Sequence, residues 1–543
     1  MRRTQNRKLK CARVTVRSFR IKVAANFDRA RISGLPEIAT SGTVVLFSLA
    51  VLKFGIHLAG IARYGFFRDE LYYLACGRHL AWGYVDQPPL IAVVAWLSQH
   101  TFGTSLAATR LLPVAAGALL VFLTGLLARE LGGSLRAQVL AAVTILFAPA
   151  VLAMNSFLSM NAFEPVFWAL GAILIARILN DGSPRLWLWF GLVTGIAFLN
   201  KHTILVFGFA TVVGLLASGM PREFTRRWIW LGGAIALAIF LPNLIWEAQN
   251  HWPQIEVVRN DRAVKTLALT PLKYLWEQVL FMSPISLPVA LSGLVWYFSS
   301  GRGKQFRPLG YIVLCSAAIF VFFKGKAYYL LPAYPILFAA GGVALESFLF
   351  APTHQWRGKT YVALLILAGL VTLPFGVPVL PLDSFLRYQR MFPITHDVKS
   401  ERDSTSELPQ LYADEFGWPE MTATIARVYY GLPPTERYSC AILAGNYGEA
   451  GAIDLLGRAY GIPKAISPHN SYYFWGPRDY TGDCVILFGE RAEFDKQFFG
   501  DVQQAAVISN PYAMPNEIDL PVYICRRPKM PLSQLWPQFR FYL

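Results

Sequence analysis

Long apolar runs alternate with short polar connections along most of the chain, and the runs recur at the lengths a bilayer demands. Crossing roughly 30 Å of hydrocarbon takes about 20 helical residues. Runs of that order occupy 43–62, 107–128, 136–154, 160–179, 186–200, 203–219, 227–246, 276–299, 308–323, 328–350 and 358–380, with a break around Lys201 dividing two short ones. About eleven spans are expected. Every second connection is short and bounded by basic residues: Arg129 to Arg136, Arg177 to Arg185, Arg222 to Arg227, Arg302 to Arg307, and Arg357 to Lys359. The positive-inside rule puts these, together with a basic tail over 1–42, in the cytoplasm. The opposite connections, 63–106, 155–159, 200–202, 247–275 and 324–327, and everything after 381, then face outward.

Two outer regions carry structure of their own. In 63–106 the spacing predicts one short helix over 69–80. A second is predicted to begin at Asp86-Gln87-Pro88-Pro89, with Asp86 as its cap and proline in its first turn. Both are expected to lie along the membrane surface. After about 380 charged and turn residues return. Short apolar strands (440–443, 484–488, 522–525) then alternate with helical stretches such as 449–460, which predicts a soluble α/β domain over 381–543. The domains expected are thus the tail 1–42, a membrane domain 43–380 with outer loops 63–106 and 247–275, and this C-terminal domain.

Composition agrees. Of 543 residues 55% are hydrophobic and only 15% charged, with mean hydropathy +0.40, against about 25% charge in soluble chains. The net charge of +17 is divided between the tail, which holds 11 Lys and Arg, and the connections. That is a topology signal, and no nucleic-acid motif accompanies it. Six cysteines show no Cys-x-x-Cys or Cys/His cluster, which argues against structural zinc. Cys440, Cys484 and Cys525 share the outer C-terminal region, where one disulfide could form; the pairing stays open. The tail is too long, and its first apolar run too far in, for an ordinary cleaved signal peptide.

Polar residues that a membrane protein does not need for solubility gather on the outer face. Asp69-Glu70 follow the first span, where an aspartate could take the proton of an acceptor hydroxyl as general base. Helical geometry lets one of the two face a reaction. The plainer reading makes Asp69 a helix cap and Glu70 a partner of the helix dipole. Asn161 and Glu164 lie one turn apart at the start of the fourth span. Lys201 and His202 interrupt apolar sequence, and a lysine there calls for an anion such as phosphate; snorkelling to the interface is the alternative. Lys324, Lys326 and Tyr329 form another cationic cluster, readable equally as interfacial anchors. The loop 247–275, with Glu247, His251, Arg259, Arg262 and Lys265, is either a lid or solvated chain. Gly445-Asn-Tyr-Gly-Glu-Ala-Gly451 lacks the spacing of a nucleotide loop. Ser467 to Trp475 suits either carbohydrate contact or a buried aromatic corner.

These residues resemble the family 39 glycosyltransferases of the GT-C fold, which use polyprenyl-phosphate sugars. That family includes protein O-mannosyltransferases, aminoarabinose transferases and the rhizobial Rgt enzymes. The resemblance rests on Asp69-Glu70, Asp86-Gln-Pro-Pro-Leu90, the polar start of the fourth span, Phe198-Leu-Asn-Lys201 and Lys326-Ala-Tyr-Tyr-Leu-Leu-Pro-Ala-Tyr-Pro335, and covers about 43–350. It implies an inverting transfer at the periplasmic face of a bacterial inner membrane. A sugar would pass from a polyprenyl-phosphate donor to a hydroxyl of a glycolipid, glycan or protein. Asp69 would be the base, with Glu70 and Asp86 in support. Arg78, Lys201, Lys324 and Lys326 are candidates for the lipid phosphate. Gln87 departs from the lysine of aminoarabinose transferases, and Asn161 from a common Asp that Glu164 could replace. A divalent ion between Asp69, Asp86 and Glu164 has no spacing signature. The rival readings are a transporter or lipid-linked-sugar flippase, whose charges should lie deep in the spans, and an envelope assembly protein.

Overall fold

The computed structural model describes residues 42–265, 267, 269–392, 406–489 and 496–543, so the basic tail up to residue 41 lies outside the described residues. By backbone contacts the chain divides into a unit over 1–48 and a unit over 49–543. Its helices, in order, are α1 (Gly42–Leu58), α2 (Arg68–Gly77), α3 (Leu90–Thr101), α4 (Leu106–Glu130), α5 (Leu135–Leu146), α6 (Pro149–Met154), α7 (Met160–Leu179) and α8 (Leu186–Asn200). They continue with α9 (Ile204–Ala217), α10 (Arg227–Gln249), α11 (Pro253–Val264), α12 (Pro271–Met282), α13 (Leu287–Ser299), α14 (Arg307–Phe322), α15 (Tyr334–Leu349) and α16 (Gln355–Gly376).

All eleven expected apolar runs fall on helix, and by length and composition they divide into full-length and shorter helices. Among the described residues six stretches are long and apolar enough to cross a membrane: Leu106–Glu130, Met160–Leu179, Arg227–Gln249, Gly303–Phe322, Ala327–Leu349 and Pro352–Gly376. The pair α12 and α13, bent by 94°, makes a seventh if counted as one span. The division comes from chain breaks. Pro149 has no N–H to continue α5, and α12 ends at Ser283, with φ 79°, ahead of Pro284. Lys201 is extended and closes α8. At about 1.5 Å per residue, α9 with its 14 residues is roughly 21 Å long, short of the hydrocarbon thickness.

The first outer loop holds the two short helices the sequence predicts, with two corrections. Leu71 to Gly77 are all buried, so α2 is enclosed between α3 and C-terminal elements rather than laid half-exposed on a surface. Nor does Asp86 cap α3. The cap position is Pro89, and the Asp86 carboxylate turns to Tyr72 instead.

The C-terminal portion contains α17 (Leu382–Gln389), α18 (Trp418–Gly431), α19 (Tyr447–Leu456) and α20 (Leu532–Phe539), with strands β1 (Cys440–Ala444), β2 (Cys484–Phe488), β3 (Phe499–Ile508) and β4 (Leu520–Pro528). The sheet order is β1-β2-β4-β3, with β1 parallel to β2 and the other pairs antiparallel. The sequence reading missed β3, an edge strand whose Gln503-Gln504 centre breaks the apolar signal. Cys440 and Cys484 are register partners on β1 and β2 and form a disulfide, while Cys525 stays free. One core joins this sheet to the first outer loop. Leu71, Leu74, Ile91 and Ala95 share it with Trp418, Ile425, Ile442, Ile453, Ile486 and Val522. Each fully buried Leu or Ile in it contributes roughly 1.5–3 kcal/mol. Glycines permit the contact. A Cβ on Gly451 would stand 2.8 Å from the Leu71 backbone, and one on Gly448 2.4 Å from Arg68 Cγ.

Candidate active site

The two adjacent carboxylates at the start of α2 are separated by the helical twist into different roles. Glu70 points inward and is fully buried. Its oxygens accept from Phe67 N at 2.8 Å, from Leu158 N at 2.8 Å and from Arg110 Nη2 at 2.9 Å. A carboxylate so engaged holds chain together and has no oxygen left for a substrate. Asp69 points the other way and is half-buried. Tyr447, the first residue of α19, donates its hydroxyl to Asp69 Oδ1 at 2.9 Å. Among the described residues the second oxygen, Oδ2, has no hydrogen-bond partner.

Asp86 lies close enough for its charge to be felt beside Asp69. Its Oδ1 accepts from Tyr72 Oη at 2.7 Å, and that phenol is also 2.7 Å from Ser471 Oγ and accepts from Ser471 N at 3.2 Å. Burial pushes the Asp86 carboxyl up to about 6, with the Asp69 charge adding to the rise and the Tyr72 hydrogen bond opposing it. The Tyr73 phenol is pushed well up by burial and then by the charges of Asp69 and Asp86, which both reach it. Tyr447 stacks on Tyr72 with ring centroids 4.6 Å apart and meets the His469 ring, tilted by 40°, at 4.7 Å. Burial depresses the His469 imidazole to about 3, with Lys265 the next cause. The Lys265 charge also acts on Asp86. Two carboxylates, four aromatic rings and one lysine therefore share a locale built from the 63–106 loop, C-terminal residues and Lys265 of the 247–275 loop.

The loop 247–275 is more ordered than its sequence suggests. Pro253 opens α11, a 12-residue helix, and four contacts tie it down. Gln254 Nε2 donates to the Asp86 carbonyl at 3.4 Å and Asn260 Nδ2 to the Tyr542 carbonyl at 2.7 Å. Glu256 pairs with Arg540 at 3.2 Å and Asp261 with Lys326 at 3.2 Å.

A second cluster gathers four of the residues singled out from sequence. Lys201 Nζ is 2.7 Å from Asn161 Oδ1 and 3.3 Å from Glu164 Oε2, and sits 4.3 Å from the centroid of the Tyr329 ring. Thr203 also donates to Glu164. His202 Nε2 meets Asn243 Oδ1 at 3.0 Å, and Asn243 Nδ2 donates to the Trp82 carbonyl. Lys201 already has its anion in Glu164, as Lys326 has in Asp261. Arg78 donates to Gln99 Oε1 at 2.9 Å and to the Asp454 carbonyl at 3.4 Å, bridging α2 to α19. Gln87 is buried against Cys76. Lys324 is exposed. Among the described residues no three His, Cys, Asp or Glu side chains converge as a metal would need, and Glu164 belongs to the Lys201 cluster.

Tyr72 stands within a turn of Asp69 in the sequence, but Tyr447, Ser471 and His469 escaped the sequence reading as members of the Asp69 locale. Their signal was present in another guise: the glycines of 445–451, read against a nucleotide loop, mark close helix packing, and 467–475 forms a buried corner in which Trp475 stacks on His79 at 4.3 Å.

The family described as dolichyl-phosphate-mannose-protein mannosyltransferase matches residues 86–246. Lipid A galacturonosyltransferase RgtD of Rhizobium johnstonii is 28% identical over 187 residues, which is 34% of this chain and 39% of that protein. The match thus spans about two fifths of that relative's length. Among solved structures, ArnT from Cupriavidus metallidurans bound to undecaprenyl phosphate aligns with a TM-score of 0.57 at 15% identity, covering 90% of this chain and 98% of ArnT. The apo form of ArnT gives 0.58 at 16% with the same coverage. Together these findings define a multi-pass membrane protein of the GT-C fold. Within that fold residues 86–246 are similar to the dolichyl-phosphate-mannose-protein mannosyltransferase family, in keeping with the resemblance read from the sequence.

Proposed function

We propose that this protein is a membrane glycosyltransferase that moves a sugar from a polyprenyl-phosphate donor to a hydroxyl of an envelope acceptor (lipid A or core glycan, another glycan, or protein). The observation that carries the reading is the Asp69 carboxylate. It is half-buried at the mouth of α2, fixed at one oxygen and unengaged at the other, in an aromatic-walled locale that the C-terminal portion covers. In the step it supports, Asp69 Oδ2 takes the acceptor's hydroxyl proton as that oxygen attacks the anomeric carbon. The new C–O bond forms as the bond from that carbon to the phosphate oxygen breaks, and the electron pair leaves with the polyprenyl phosphate. Attack opposite the leaving group inverts the anomeric centre. Lys265, whose charge reaches Asp86 and His469, is placed to offset the charge growing on the phosphate. Glu70, Arg78 and Gln87 support α2 and its surroundings rather than touch substrate.

The outer face is the reading for this site, with the tail cytoplasmic and the C-terminal portion in the periplasm of a bacterial inner membrane. The basic inner connections favour it, and so does the Cys440–Cys484 disulfide, since such bonds persist in oxidising compartments. The test is mass spectrometry of envelope lipids, glycans and glycoproteins from wild type, a deletion strain, and the deletion carrying Asp69→Asn at wild-type level. A sugar lost in the deletion and still missing with Asp69→Asn is the expected result and names the substrate. Its restoration by Asp69→Asn would remove Asp69 as base, and an unchanged deletion would turn the reading toward transport or assembly.

A further inference from the structure

Tyr447 is held with little freedom to do anything but meet Asp69. Its ring stacks on Tyr72 and also contacts the His469 ring. Its backbone opens α19 through a reciprocal cap in which Asn446 Oδ1 accepts from Gly448 N at 2.9 Å and Glu449 N at 3.0 Å. The Glu449 carboxyl in turn accepts from Gly445 N at 2.8 Å and Asn446 N at 3.2 Å. Asn446 Nδ2 also donates to Glu517 Oε1 at 2.9 Å, which anchors the cap to the chain leading into β4. Gly448 and Gly451 then seat α19 directly on α2. A phenol fixed in this way delivers one short hydrogen bond, to Oδ1 of a carboxylate whose other oxygen is unengaged among the described residues.

We infer that Tyr447 is a positioning residue for the transfer: its hydrogen bond sets the rotation of the Asp69 carboxylate and presents Oδ2 to the acceptor hydroxyl. The C-terminal portion thereby completes the reactive site instead of only covering it. This rests on the reading of Asp69 as base. Loss of an orienting contact made at the reacting carboxylate lowers turnover of bound substrate and leaves ground-state binding in place, a signature that loss of packing alone does not share.

The experiment uses the full-length chain in isolated membranes of the deletion strain, with the host's own lipid-linked donor and envelope acceptor. Initial transfer rates are followed by mass spectrometry while added acceptor extract is varied, giving kcat and KM for the acceptor. Tyr447→Phe keeps both ring contacts and removes only the hydroxyl. The expected result is a kcat lowered roughly 10-fold, the scale of one lost transition-state contact, with the acceptor KM nearly unchanged. Folded protein is quantified by gel filtration in detergent, and Tyr438→Phe, at a side chain 92% exposed, is expected to match wild type. A kcat that stays at the wild-type value, or a rise in KM that accounts for the lost rate, would overturn the inference. Asp69→Asn in the same membranes separates the two ideas: if it is inactive while Tyr447→Phe keeps the wild-type kcat, the base survives and the positioning role fails. If Asp69→Asn retains transfer, the underlying reading fails first.

Discussion

Arg110 and Glu70 meet at 2.9 Å with both side chains fully buried, and the same guanidinium nitrogen reaches Glu415 at 3.2 Å. One residue of α4 therefore ties the start of α2 to the stretch before α18. Glu70 completes the bond on its side by accepting from Leu158 N, so three outer segments converge on a single charge.

Removing that charge should be severe. Arg110→Met leaves two carboxylates buried without their cation, a situation that costs about 3–5 kcal/mol. The expected outcome is a strongly lowered thermal midpoint in detergent. Arg110→Lys should rescue little of it, because a lysine cannot offer the guanidinium fork to two carboxylates. Glu70→Gln should lower stability too, and its activity per folded molecule should fall far less than that of Asp69→Asn.

Asp86 makes stability depend on pH in a direction opposite to most carboxylates. Its carboxyl is raised from 3.8 to about 6, so the folded state holds this proton where the unfolded state has released it. By linkage that contribution is full below the unfolded value and is lost as pH rises through about 4 to 6. Asp86→Asn removes the dependence and preserves an acceptor for Tyr72. Relative to wild type the variant should gain on the order of 2 kcal/mol as pH climbs across that window, measured by denaturation in detergent at pH 4, 5, 6 and 7.

What the chain reveals by itself divides along sequence distance. Asp69 is legible because an acidic pair where an apolar run ends is costly and local. Asn161, Glu164, Lys201 and Tyr329 are legible as polar interruptions of apolar sequence, and they do come together. The division of labour between Asp69 and Glu70 is not, since neighbours on a helix differ only in what lies around them, and Arg110 is 40 residues away. Tyr447 and Ser471 are further still. The lengths of the apolar helices are a different matter: apolar sequence was visible, but the breaks at Pro149, Lys201 and Ser283 divide it in ways hydropathy does not register.

The Lys201 cluster offers a double-mutant cycle. Lys201 and Glu164 are 12% and 4% exposed at their side chains, so either Lys201→Met or Glu164→Gln alone strands a charge and should destabilise. The pair of changes together should recover part of the loss, with a coupling of about 1–3 kcal/mol. If Lys201 serves the fold rather than the donor phosphate, the double variant should also retain transfer, read by envelope mass spectrometry.

Close packing of α19 on α2 predicts a steric effect at Gly451. A side chain there would meet the Leu71 backbone at 2.8 Å, and neither helix backbone can yield cheaply. Gly451→Val should cost about 1–3 kcal/mol and lower transfer per folded molecule roughly 10-fold, as Tyr447→Phe does, by moving Tyr447 away from Asp69. Gly431→Ala, where nothing lies within 4 Å, should behave as wild type in both assays.

The hydrogen bond between Tyr447 and Asp69 closes over 378 residues, and that separation governs when the protein can first act. A ribosome has to finish, and the insertion machinery has to place, every span between the two residues before they can touch. On the proposed topology the export of the C-terminal strands follows, and with it the oxidation that links Cys440 to Cys484. A half-made chain in the membrane would carry Asp69 and the whole of the Lys201 cluster yet lack Tyr447. On the proposed role of that tyrosine, competence arrives at the end of biogenesis, as a property of the finished molecule.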